Sequence, residues 1–219
     1  MTMIRLRPDR SGESPLQVLC LGCHSDDIEI GCGGAVLQIA AEHNDVVFHW
    51  VVFSAIGIRA SEAKRGAREF VDPSRMKNVI LKDFRDGFMP YDAANIKSVF
   101  EELKRDISPD IVFTHNRFDA HQDHRLIAEL TWNTFRDHLI LEYEIPKYDG
   151  DMGRPSVFIP LPKDVCERKV NSIVKTFESQ SAKRWFEPET FMALMRLRGM
   201  ECNAPSGYAE AFYGRKLVL

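Results

Sequence analysis

No stretch of this sequence is apolar for anything near the ~18 residues that a membrane span needs. Acidic and basic residues nearly cancel, leaving a net charge of −3. Neither nucleic acid nor an anionic membrane therefore has an electrostatic claim on the chain. No linker rich in Pro, Gly or Ser and no internal repeat divides the 219 residues, which read as one domain over 1–219. Residues 1–15 are charged and polar without an apolar centre, unlike a signal peptide, and residues 1–14 are expected to form a flexible extension. Cysteine is scarce. An odd five, with no export signal, argues for reduced thiols and a cytoplasmic protein, not a disulfide framework. Cys20-Leu21-Gly22-Cys23-His24 does fit the attachment pattern of c-type haem. That chemistry requires export, and both cysteines fall on an apolar strand, where they serve as small fillers.

What is present is ordinary for a soluble globular protein: 44% apolar and 28% charged residues. Apolar, β-branched runs over 16–22, 45–53, 78–81 and 110–114 predict buried strands. Between them, helical spacing predicts helices over 35–42, 61–70 and 94–107. The last carries an apolar stripe of Ile96, Val99, Phe100, Leu103 and Ile107. Strand and helix alternate, so the expected fold is α/β: a Rossmann-like, doubly wound, mostly parallel sheet flanked by helices. Further on, helices are expected over 125–135, 164–178 and 188–198. Strands are expected over 139–143, over 156–160 at an edge because of its prolines, and within 208–219. With strand order 3-2-1-4, the first and fourth strands are neighbours, and ligands bind beyond the carboxyl ends at such a switch point.

Two polar clusters follow those two strands. His24-Ser25-Asp26-Asp27 comes after the first, before Gly31-Cys32-Gly33-Gly34; His121-Gln122-Asp123-His124 comes after the fourth. Carboxylates leaving a buried strand cost several kcal/mol unless compensated, and a cation compensates them. Imidazole with carboxylate suits Zn²⁺, which in catalytic sites keeps three protein ligands and one open position. The residues alone leave open whether Asp26 or Asp27 is the ligand. They also admit a plainer reading, in which the aspartates merely cap helices. The glycines serve any sharp turn and do not complete a dinucleotide fingerprint.

The same residues carry a family resemblance. The chain resembles the de-N-acetylases of the N-acetylglucosaminyl-phosphatidylinositol type (PIG-L, LmbE-like), whose first motif is His-Pro-Asp-Asp with a Gly-rich turn and whose second is His-x-Asp-His. Arg59-x-x-Glu62-Ala63, Ser179-Gln180 and Ala209-Glu210-Ala211-Phe212 agree as well. Ser25 replaces the usual proline, and Phe177 stands where many members have histidine. The resemblance implies His24, Asp27 and His124 as ligands of one Zn²⁺, with Fe²⁺ or Co²⁺ compatible with the same set. It implies Asp26 as general base, and His121 as oxyanion donor, an imidazolium held by Asp123. Arg59 is expected to bind sugar hydroxyls or a phosphate, and Asp119 to line the pocket mouth. His115 is left undecided. The activity implied is hydrolysis of the acetamide of an N-acetylated sugar or sugar conjugate, the small-molecule partner. A homo-oligomer is compatible with the sequence. The rival expectation is a nucleotide- or cofactor-binding α/β protein without hydrolysis.

Overall fold

The computed structural model describes residues 14–217. The extension expected over 1–14 lies, apart from Ser14, outside the described residues. In chain order the elements are β1 (Leu16–His24), α1 (Asp27–Glu42), β2 (Val46–Ser54), α2 (Ile58–Phe70), β3 (Met76–Leu81) and α3 (Ala93–Asp106). There follow β4 (Ile111–His115), α4 (Gln122–Thr134), β5 (Leu139–Tyr143), β6 (Val157–Pro160), α5 (Lys163–Thr176), α6 (Pro188–Glu201) and β7 (Ala209–Gly214). Short 3₁₀ turns at Met89–Asp92 and Glu178–Gln180 were not expected.

The seven strands form one sheet in the order β3-β2-β1-β4-β5-β7-β6. The first five run parallel. β7 is antiparallel to both β5 and β6. The expected 3-2-1-4 order and the edge position of β6 are both present.

Alternation along each strand divides the core in two. Val18 and Cys20 of β1, with Phe48, Trp50 and Val52 of β2, face α1, α2, α5 and α6. Leu19, Leu21 and Cys23, with Val51 and Phe53, face α3 and α4. The α3 stripe packs into this second layer as its periodicity predicts.

α1 starts earlier than expected. Its first residue is Asp27, so the glycines lie inside the helix and not in a loop before it. They are there for closeness. A Cβ on Gly31 would sit 2.2 Å from the Tyr143 ring, and one on Gly34 would sit 2.4 Å from Leu161 and 2.8 Å from Glu210 Oε1. In return Glu210, on β7, accepts from the amides of Gly34 and Ala35, each at 2.7 Å. Lys169 of α5 pairs with that carboxylate at 2.6 Å and donates to the Ile30 carbonyl. A buried ion pair thus ties the middle of α1 to the last strand.

Candidate metal centre

β1 and β4 are neighbours, and the chain leaves their carboxyl ends toward the N-termini of α1 and α4. The two polar clusters meet there. The His24 amide donates to Asp27 Oδ2 at 2.6 Å, closing the turn that starts α1. That oxygen lies 3.3 Å from His24 Nδ1 and 3.6 Å from His124 Nε2. The two nitrogens are 3.2 Å apart. The three ligands implied by the resemblance, spread over 100 residues, therefore form one small triangle.

The opposite side of each ring decides which atoms face inward. His124 Nδ1 is 3.0 Å from Asp119 Oδ2. His24 Nε2 is 3.0 Å from Asp86 Oδ1, off the axis of a hydrogen bond, and 3.6 Å from Asp123 Oδ2. Carboxylates accept and do not donate, so the outer nitrogens carry the ring protons. The triangle then consists of two inward ring nitrogens and a carboxylate oxygen, close enough to share a proton or a cation. Such a donor set, with carboxylates behind the imidazoles, fits Zn²⁺ or a similar transition metal. Burial opposes ionisation of Asp27, but His124, His115 and His24 outweigh it and hold its pKa well below the usual range. Burial likewise opposes charge on His24, but Asp27, Asp123 and Asp86 raise its pKa well above normal.

Asp119 lines a small cavity together with Asn116, Glu144 and Met152. It is 4% exposed. Besides His124 it meets Lys147 Nζ at 3.0 Å and accepts from the His121 amide at 2.8 Å. Its carboxylate is thereby placed to orient the His124 ring.

His121 is the N-cap of α4. Its Nδ1 accepts from the Asp123 amide at 3.3 Å. The expected imidazolium held by Asp123 is not found. Burial, with His124 and His24 beside the ring, lowers the His121 pKa. The Asp123 carboxylate is taken by the amides of Gly87 and Met89, at 2.6 and 3.1 Å. The capping bond nonetheless leaves the neutral ring with its proton on Nε2, so it remains a donor.

Asp26 is 4% exposed, and its Oδ1 accepts from Arg59 Nη2 at 2.5 Å. Arg59 also reaches Glu62 and Ser179 through Nη1, at 3.3 Å each. Two further residues belong to the centre that sequence reasoning missed or left open. His115 is fully buried and stacks on His124 at 3.9 Å between ring centroids. Its Nε2 lies 3.2 Å from Asp27 Oδ2 and 3.0 Å from the Cys23 amide. Its place at the very end of β4 was the available signal. Asp86 lies in the loop after β3, where the His24 ring brings its pKa down to about 2; no motif marks it. Cys23 is buried beside Asp27, and burial and that charge push its thiol pKa well up, as suits a filler.

An α/β sheet whose switch point gathers two imidazoles and a carboxylate around one cation-sized gap defines an LmbE-like protein with a metal-competent centre. Residues 19–135 match the family described as PIG-L, GlcNAc-PI de-N-acetylase, and the chain belongs to that family. Solved structures agree in fold. N,N′-diacetylchitobiose deacetylase from Pyrococcus horikoshii is 20% identical over 91% of this chain and 83% of that one, with a TM-score of 0.69. A conserved protein from Thermus thermophilus is 19% identical over 93% and 96%, with a TM-score of 0.73. GalB, the 4-carboxy-2-hydroxymuconate hydratase of Pseudomonas putida KT2440, is 17% identical over 93% and 98%, also at 0.73. A search of curated protein sequences found none that matches the chain.

Proposed function

We propose that the protein is a metal-dependent hydrolase that removes the acetyl group from an N-acetylated sugar or sugar conjugate, releasing acetate and a free amine. The observation that supports this reading is the close triangle of His24, Asp27 and His124, with the His121 ring beside it and Asp26 next to Asp27 in the chain. A bound Zn²⁺ supplies Lewis-acid polarisation and a lowered pKa for an attacking water. The chain supplies the rest. Asp26 has one oxygen held by Arg59. Its other oxygen accepts the proton of the water and passes it to the departing amine nitrogen. His121 Nε2–H donates to the oxygen on which negative charge develops, in the manner of an oxyanion hole. The free, buried state of Cys20, Cys23, Cys32, Cys166 and Cys202 suits a reducing compartment such as the cytoplasm. No helix among the described residues is long and apolar enough to cross a membrane.

A nucleotide-binding reading has little to support it. The glycines are interior to α1, and two carboxylates face that helix's N-terminus, where they would repel a phosphate. The test is elemental analysis of protein purified without chelators, beside acetate release from a panel of N-acetylhexosamine conjugates. About one transition metal per chain and metal-dependent acetate release are expected. Metal-free protein, or a loaded protein releasing no acetate from any member, overturns the reading.

A further inference from the structure

Two short motifs far apart in the chain, Arg59-x-x-Glu62 and Ser179-Gln180, meet behind Asp26. Glu62 is fully buried. Its Oε1 accepts from the Ser179 amide at 2.9 Å and its Oε2 from the Ser179 hydroxyl at 2.6 Å. Arg59 Nη1 donates to Glu62 Oε2 and to Ser179 Oγ, both at 3.3 Å, while Nη2 reaches Asp26 Oδ1 at 2.5 Å. Gln180 Nε2 donates to the Ser179 hydroxyl oxygen at 3.0 Å. The order of support is thus Gln180 to Ser179, Ser179 to Glu62 and Arg59, and Arg59 to Asp26.

A long arginine side chain has much rotamer freedom to lose. It fixes a partner only if it is itself fixed, and Glu62 and Ser179 do that from the α2 side and from the turn after α5. An aspartate that serves as base must present one oxygen and keep it there. With Oδ1 engaged by the guanidinium, Oδ2 is the oxygen left to take a proton. Both terminal nitrogens of Arg59 are engaged within the protein, which fixes the plane of the guanidinium.

We infer that Glu62 and Ser179 are positioning residues which, through Arg59, hold Asp26 in the orientation of a general base. This rests on the reading of Asp26 as the base. Ser179 is exposed, so its substitution leaves the core alone. The test uses zinc-loaded protein with N,N′-diacetylchitobiose and related N-acetylhexosamines, and ¹⁵N-arginine NMR on the same variants. Ser179→Ala should lower kcat about tenfold or more, with KM changed less than about threefold and metal content unchanged. Ser179→Thr, which keeps the hydroxyl, should restore kcat. In the spectra, the hindered guanidinium signals of Arg59 should shift or broaden in Ser179→Ala and in Asp26→Asn. A rise in KM at constant kcat would make Arg59 a substrate ligand and overturn the inference, as would guanidinium signals indifferent to both substitutions. Full turnover in Asp26→Asn removes the base reading and the clamp's purpose with it. A wild type inactive on the whole panel defeats the deacetylase reading, and the NMR comparison then decides the clamp by itself.

Discussion

Asp119 lends its carboxylate to one ring nitrogen and so decides which nitrogen of His124 can face a cation. Lys147 and the His121 amide hold that carboxylate in turn. Asp119→Asn keeps an acceptor oxygen but loses the charge that makes the imidazole a better ligand, and it leaves Lys147 without one of its partners. Removing such outer support typically costs 10–100-fold in metal affinity. Zinc competition against a chromophoric chelator should show a loss of that order; an unchanged affinity would mean that Asp119 does not orient His124. The two polar clusters were legible in the sequence because they are compact motifs after two apolar runs, but which aspartate faces the rings was not. Neither were their supports. Asp86 and His115 arrive from separate strand ends, and Lys147 from the loop after β5, so no local spacing announces them. The imidazolium expected at His121 failed for a related reason: three rings crowd one another there, and burial disfavours a further charge.

At the scale of an element, α1 begins with residues that favour turns and carries glycines that weaken helices, so local propensity places its start too late. Tertiary contact explains it. The ring over Gly31 belongs to Tyr143, whose hydroxyl is bonded to the Leu21 carbonyl at 2.6 Å and has no room to retreat. Gly31→Ala should therefore destabilise by about 1–3 kcal/mol in spite of the better helix propensity of alanine. A lowered denaturant midpoint with an unchanged slope would record it; a stabilised protein would show that α1 can shift away. A similar close approach holds α2, where Glu29 and Phe177 both crowd Gly66. Phe177 has no hydrogen bond to give, and both Glu29 carboxyl oxygens lack a partner among the described residues. Burial, with Asp26 and Asp27 nearby, raises the Glu29 pKa well above normal. By contrast α3 was legible outright, since a single apolar stripe on an otherwise charged helix admits one packing face.

Over the whole molecule, alternation of strand and helix was enough to give the parallel half of the sheet, while the place of β1 beside β4 came from the strand order usual for such folds and from the family resemblance. The direction of β7 was not legible, because a strand's own residues do not encode which way its neighbour runs. Its insertion between β5 and β6 is nevertheless what completes the sheet, since β6 has no other strand partner among the described residues. A chain ending at Gly207 would lose β7, leave β6 unpaired and strand the buried Lys169 without its carboxylate. Breaking a buried pair alone costs about 3–5 kcal/mol, a large share of the usual stability of a domain. Such a truncation should give no cooperative thermal transition and rapid digestion by protease; a sharp melt near that of the full chain would show that β7 is an accessory. The similarity in fold to a hydratase as well as to a deacetylase makes a further point at this scale: this fold does not by itself specify a reaction.

The link from Glu210 back to the amides of Gly34 and Ala35 spans 176 residues. In synthesis the His24–Asp27 turn emerges well before β7 does. The helix that begins with Asp27 therefore waits for its carboxylate anchor until β7 has emerged and docked. A nascent chain halted between α6 and β7 holds that helix by its remaining contacts alone.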